Sequence, residues 1–500
     1  MNENQRLVNV QNRTHLSIRQ LAVFVLSLLL VGVMVLTNQR DNAMVESVVA
    51  PMPVMPVVSL DQRVSTSWFC PGVPGNDGTV SGSIIISNPS DADFNATVTR
   101  LGVGVSPVVT AVTVAARSQA AVNVKEGIEA SFISTIVEIL GGVGTAEQFI
   151  NHPAGNSVAQ CANEPATDWY FADGFTGADS LNQIVLTNPY SDSTVVDVSF
   201  VTTESTREPS RLHGFVIPPR SVIALNMADE GARNEPVVAV EVHASAGKLV
   251  VGRSQHYLGD GRLGYTMALG ASGLSSEWWF ADGEKLEGST EQLVILNPTR
   301  SDATLSVMFV NGINPDTQME PVSLTAPAGR VTLFATGSLP NVPNGRYGII
   351  VSTIGDPGVV APGVVVEQVI NRRVGNSVGT SVVLGAPMGA TSTVWVAPSG
   401  VSSGIDDSML ILNATPVEGT VTVSQIGPAG EVAITGLESV VLPASGLISI
   451  PVPDGISSGE IVIRATIPVV VQRMLLRGHD LSGRSAVLAL PTIPSPEVGS

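Results

Sequence analysis

Apolar residues in this chain come in short alternating runs separated by Gly, Pro, Asn and Asp, and one such pattern returns four times. Each copy has an aromatic run, a Gly/Asp-rich loop, an apolar run closing on Asn, and then an alternating run. The aromatic runs are Trp68-Phe69, Trp169-Tyr170-Phe171, Trp278-Trp279-Phe280 and Val394-Trp395-Val396, and the closing asparagines are Asn88, Asn188, Asn297 and Asn413. Two residues before each Asn stand Ile86, Leu186, Ile295 and Ile411, and four before stand Ile84, Ile184, Leu293 and Met409. Ten after it stand Val98, Val198, Val307 and Val423. Residues spaced by two on a strand share a face, so each copy predicts two strands turning an apolar side to a common core. The Asn predicts a turn cap. Its side chain can bond the backbone ahead of it, and the Pro that follows in the first three copies ends ladder donation.

The spacing of the asparagines is that of whole domains rather than of solenoid units. Later in each copy come a turn (Ala115–Ser118, Pro218–Ser221, Pro327–Arg330, Pro443–Gly446) and a valine-rich run. That run carries embedded polar residues: Glu147-Gln148, Arg253, Glu367-Gln368 and Gln472-Arg473. About seven strands per ~100 residues predict an all-β chain of tandem immunoglobulin-like sandwiches. The repeats are bounded at 65–164, 165–273, 274–390 and 391–492, with a tail at 493–500. The fourth copy is diverged: its Trp is displaced within the aromatic run, Ala414 replaces Pro, and the turn Arg is lost.

One segment breaks the β pattern. Leu21 to Thr37 is uncharged and apolar, close to the lower length limit for a membrane-spanning helix, and Gln20 and Asn38 can extend it. Arg6, Arg13 and Arg19 precede it, while Arg40 beside Asp41 is all that follows closely. This bias predicts a short cytoplasmic segment at 1–20, a transmembrane signal anchor at 21–38, and everything beyond it outside the cell. The alternative is a cleaved signal peptide and a secreted protein. The long apolar run and the lack of a clean small-x-small site favour the anchor. Residues 39–64, with Pro51, Pro53 and Pro56, read as an extended spacer.

Aromatics at 4%, 49 Gly and 33 Pro fit many short strands with modest cores. The net charge of −18 comes with only three lysines, Lys125, Lys248 and Lys285. No basic stripe is present, which argues against nucleic acid. In an exported chain the two cysteines, Cys70 and Cys161, which bracket the first repeat, predict a disulfide. They lack the local partners of a metal site.

The WYFADG and WWFADG strands, the Asn-Pro strand end, the SWFCPG start with a second cysteine about 90 residues on, and the VVVEQ strand carry a resemblance over roughly 60–492. The chain resembles an actinobacterial family of membrane-anchored or secreted proteins, domain-of-unknown-function family 5719. The resemblance implies an envelope-exposed β-repeat protein and supplies no catalytic residues.

Chemistry is sparse. Gly400-Val401-Ser402-Ser403-Gly404 matches a nucleophile elbow, but that motif needs a strand-to-helix turn beneath a parallel sheet, which an all-β repeat does not offer. His152, His213, His243, His256 and His479 form no ligand cluster in the sequence. In the acidic loops, Asp173, Asp179, Asp282 and Glu287 are the candidate Ca²⁺ ligands, yet their spacing fits no defined calcium loop and Asp-Gly is a common turn dipeptide. Adjacent strand residues face opposite ways, so Tyr170 and Trp279 become outward rings, either a ligand platform or packing between domains. No cofactor is implied. The expected function is a non-catalytic, membrane-anchored extracellular scaffold, stalk or adhesion module. The alternative is a module binding cell-wall glycan or an envelope protein, and an envelope hydrolase ranks third.

Overall fold

The computed structural model describes residues 54–59, 65–141, 144–259, 261–311, 319–342, 344–355, 361–374, 377–398, 406–451, 459–476 and 484–493. The expected anchor at 21–38 lies outside these residues, as does most of the spacer. Among the described residues no helix is long and apolar enough to cross a membrane. The described chain is all-β, with three single-turn 3-10 segments, and forms one compact unit.

Repeat 2 shows the plan. Its front sheet orders Asp168–Phe171, Ala239–Ala246, Thr194–Val201 and Phe215–Ile217, and its back sheet orders Ser221–Asn226, Leu181–Asn188, Val250–Gly259 and Arg262–Leu269. The other repeats keep this plan, so each is two antiparallel sheets over a shared core. Two differences from the expected immunoglobulin arrangement stand out. There are at least eight strands, with the short Thr206–Arg207 as a ninth in repeat 2, and the aromatic strand joins the strand at Ala239–Ala246 instead of pairing with the second strand of its repeat. In repeat 4 a single strand, Ile461–Leu476, serves the front sheet with its first half and the back sheet with its second.

The recurring residues do the same work in every copy. Trp68, Trp169, Trp278 and Trp395 are all buried. Each ring Nε1–H donates to the carbonyl leading into the later valine-rich run, of Gly144 (3.1 Å), Leu249 (2.9 Å), Val364 (2.9 Å) and Val469 (3.0 Å). Trp395 is therefore the structural counterpart of the other three despite its displaced sequence context. The asparagines are buried caps. Asn188 Nδ2 donates to the carbonyls of Asp192 (2.8 Å) and Pro218 (3.0 Å), while its Oδ1 accepts from the Tyr190 N–H (3.0 Å). Asn88, Asn297 and Asn413 repeat this pattern. The residues two and four before the Asn, and ten after it, are buried in all four copies.

The apolar run before each Asn is continuous: Ile84-Ile85-Ile86, Ile184-Val185-Leu186, Leu293-Val294-Ile295, Met409-Leu410-Ile411. Strands buried on both faces have this composition. Here the second face is covered because the back sheet of each repeat stacks on the front sheet of the repeat before it. Gly252 sits so close to Pro71, and Gly348 to Leu412, that a Cβ at either glycine would collide across the seam. Ser134 Oγ and Thr187 Oγ1 bond across the first seam at 2.8 Å.

The stacking closes on itself. The back sheet of repeat 1 lies on the front sheet of repeat 4, where the Gln119 side-chain N–H donates to the Pro398 carbonyl and Thr145 Oγ1 donates to Glu460 Oε2 at 3.0 Å. The edge strands Ser157–Gln160, Arg262–Leu269, Ser377–Leu384 and Arg484–Leu488 meet in cyclic order around a common axis. The body is a ring of four sandwiches. The end of the expected spacer belongs to it: Val58–Ser59 pairs in parallel with Leu490–Ile493, and Met55 and Pro56 line a small axial cavity of ≈ 50 Å³ between the four edge strands.

Cys70 and Cys161 form the expected disulfide, both buried. The backbone pairs Phe69–Ala162, Tyr170–Ala271, Trp279–Ala386 and Val396–Leu490 are equivalent. Counting on from them, the cysteine pair corresponds to Phe171 with Gly270, Phe280 with Gly385, and Ala397 with Ala489. A Cβ on Gly270 or Gly385 would enter the Phe171 or Phe280 ring at 2.7 Å. One contact therefore has three chemical solutions: a covalent bond, a ring over glycine, and a pair of alanines.

Candidate functional site

Two of the four seams bury a charged pair. The polar residues embedded in the valine-rich strands occupy two equivalent positions, fixed by their pairing with the Asn-ending strand: Glu147, Gly252, Glu367 and Gln472, followed by Gln148, Arg253, Gln368 and Arg473. Arg253 of repeat 2 holds Glu367 of repeat 3 with two bonds of 2.9 Å, their side chains 1% and 2% exposed. Arg473 of repeat 4 pairs with Glu147 of repeat 1 at 2.9 Å, equally buried. The other two seams are neutral at these positions. Gln148 stays within repeat 1, bonding both the N–H and the carbonyl of Gly72, while at the seam of repeats 3 and 4 Gln472 Oε1 accepts from the Ala281 N–H at 3.1 Å.

The acidic loops join this system rather than forming an open cation site. Asp173 is fully buried, accepts from Arg262 at 3.0 Å, and gives its own N–H to Glu367 Oε2 at 2.6 Å. Asp282 accepts from Arg346 (2.6 Å) and Arg372 (2.8 Å), and Arg372 also holds Glu284. Asp179 and Glu287 are exposed and stand apart from these pairs. Among the described residues no group of three or more His, Cys, Asp or Glu is placed to hold a metal ion. Buried carboxylates with arginine partners are what a low-dielectric seam requires, since an unpaired charge there is strongly penalised.

Tyr170 and Trp279 lie on the faces covered by the next repeat. Both are half-buried and pack against the apolar cluster that repeats 3 and 4 share, and Trp279 Nε1–H donates to Glu277. His152 stacks on Tyr265 with ring centroids 4.1 Å apart, and His256 meets it edge-on at 4.9 Å. Burial, then the nearby His256, pushes His152 down to about 4, so it is neutral and fills the first seam as a flat ring. His213 and His243 are exposed and pair with Asp197 and Asp168. Residues 399–405, with the Gly400–Gly404 motif, and His479 lie outside the described residues.

Among the described residues two buried carboxyls stand apart from the arginine pairs. Glu291 is buried inside repeat 3, where it accepts from Thr336, Tyr347 and Gln368, and burial pushes it up to about 7. Its neutral form is favoured by folding. The stability it contributes is fully present below its ordinary value of 4.5 and is lost as pH rises through about 7. Urea unfolding of Glu291→Gln should show a smaller loss of stability between pH 5 and pH 8 than the parent, and an unchanged pH dependence would remove Glu291 as its source. Glu460, buried at the seam of repeats 4 and 1, is likewise pushed by burial up to about 7. It borders a cleft of ≈ 370 Å³ between these repeats, with Arg117, Asp91, Glu431 and Arg464 also on its walls. Neither Glu460 nor the cleft was picked out in the sequence. Its one signal there is the loss of an aromatic residue at Val396.

The fold defines a closed, all-β ring of sandwich repeats with a buried ion pair at two of its four seams. Residues 145–368 match the model of a family of unknown function (DUF5719). The match runs from the valine-rich strand of repeat 1 to the same strand of repeat 3, one two-repeat period. No curated protein matches the chain. Among solved structures, that of Thermotoga maritima 1070 is 18% identical over 22% of this chain and 92% of its own, with a TM-score of 0.18. A tetra-tandem repeat from the extending region of a large adhesion protein is 12% identical over 88% of this chain and 98% of its own, TM-score 0.10. The N-terminal four Ig domains of Dscam1 isoform 4.44 are 10% identical over 83% of this chain and 100% of theirs, TM-score 0.10. At these scores none of the three defines the fold.

Proposed function

We propose that this chain is a non-catalytic, membrane-anchored protein of the bacterial cell envelope that displays its immunoglobulin-like repeats outside the cell as a scaffold or adhesion module. The observation that carries this reading is the use of the recurrent residues. The tryptophans, the asparagines and the embedded Glu, Gln and Arg are spent on building one rigid body, so the fourfold phrase encodes a platform. The disulfide supports an oxidising compartment, because cytosolic thiols are kept reduced. The ring supports a compact display body over an extended stalk.

The test uses a membrane-impermeant maleimide on intact cells. A cysteine placed at exposed Ser191 should be labelled without lysis, and one placed at Asn4 only after lysis. Labelling of Ser191→Cys only after lysis would overturn the topology.

A further inference from the structure

In every repeat the residue after the buried Trp turns away from its own core toward the face covered by the next repeat: Phe69, Tyr170, Trp279 and Val396. In the first three a half-buried aromatic ring packs into the apolar cluster beyond it. In the fourth the ring is missing, and at that seam lies the ≈ 370 Å³ cleft, lined by Val394, Val396, Ile426 and Val462 of repeat 4 and by Pro89 and Thr145 of repeat 1.

We propose that this cleft binds a small molecule through one neutral or cationic aromatic ring carrying a donor, of the indole or phenol kind. The apolar part of the walls is made of branched aliphatic side chains, which grip a flat ring by dispersion. The sister seams supply the precedent for size, since each seats one ring at the equivalent position. They supply the polar precedent too: Trp279 gives its ring N–H to a carboxylate, Glu277. In the cleft an acceptor comes from a different strand, as Glu460, to which Thr145 Oγ1 donates at 3.0 Å. Its rim charges are already matched, Arg464 holding Glu431 (2.7 Å) and Arg117 holding Asp91 (2.6 Å). Both arginines that line the cleft are thus engaged, so an anionic ligand would bring a charge with no unmatched cation to receive it, and is disfavoured. This site stands independently of where the protein is displayed.

The experiment is a titration of the full chain by calorimetry and ligand-observed NMR with indole, tryptamine and indole-3-acetate. Indole and tryptamine should each saturate a single site, and indole-3-acetate should bind at least tenfold more weakly. Val396→Phe, which restores the ring of the sister seams, should weaken indole at least tenfold while leaving the thermal midpoint unchanged or higher. Val462→Phe serves as a second block should that variant not fold. Absence of saturable indole binding, tighter binding of the anion, or binding within twofold of the parent in a folded blocked variant would each overturn the assignment.

Discussion

Replacing Glu367 by Gln should be among the most damaging single changes in the molecule, lowering stability by about 3–5 kcal/mol, because it leaves the Arg253 guanidinium buried without its counter-ion. The pair is almost fully enclosed, and both members also serve the backbone: Glu367 accepts the Asp173 N–H, and Arg253 donates to the Asp173 carbonyl. The seam between repeats 3 and 4 meets a closely related backbone demand without charge. There Gln472 accepts the Ala281 N–H, and Gln368 donates to the Asp282 carbonyl at 2.8 Å. The double variant Arg253→Gln/Glu367→Gln transplants that neutral seam, and it should recover well over half of the loss. Urea unfolding of the parent, both single variants and the double variant measures the coupling. If the double variant is as unstable as the sum of the singles, the pair is not acting as a unit.

The second large effect is expected from the disulfide. Cys161→Ser should cost roughly 4 kcal/mol by the loop-closure argument, since the bond spans 91 positions. In the non-reduced, denatured parent a thiol probe should label neither cysteine. The ring itself suggests a repair. Cys70→Phe with Cys161→Gly copies the contact of Phe171 on Gly270 and of Phe280 on Gly385 into repeat 1. This double change should be more stable than Cys161→Ser, because the aromatic ring refills the volume between the strands. Equal stability of the two would show that the covalent link, not the contact, matters at this place.

Much of the individual repeat was legible in the chain. The i, i+2 spacing of Ile84 and Ile86, and of their counterparts, is a local signal that survives folding unchanged, and so is the turn preference of Asn. The stacking of repeats was present as well, in a form easily passed over. A strand facing one core should alternate, yet Val185, Val294 and Leu410 interrupt the alternation with further apolar side chains, which is the mark of a second covered face. Ring closure is different. It rests on contacts such as Glu147 with Arg473, more than 300 residues apart, and on the parallel pairing of Val58–Ser59 with the last strand. No local period encodes these. The acidic loops are hard to read for a related reason: Asp173 and Asp282 look like open oxygen ligands until their arginines arrive from strands 64 to 90 residues away.

The alternation of the seams carries a parity rule. Passing around the ring, a neutral seam is followed by a charged one, then a neutral and a charged one again, so each repeat differs from its neighbours and matches the one opposite. A ring with an odd number of such repeats cannot be completed without setting an arginine against a position that lacks its glutamate, or a buried glutamate against one that lacks its arginine. The unit that can be gained or lost without leaving a charge stranded is therefore a pair of repeats, and chains built on this plan are expected to grow or shrink in twos.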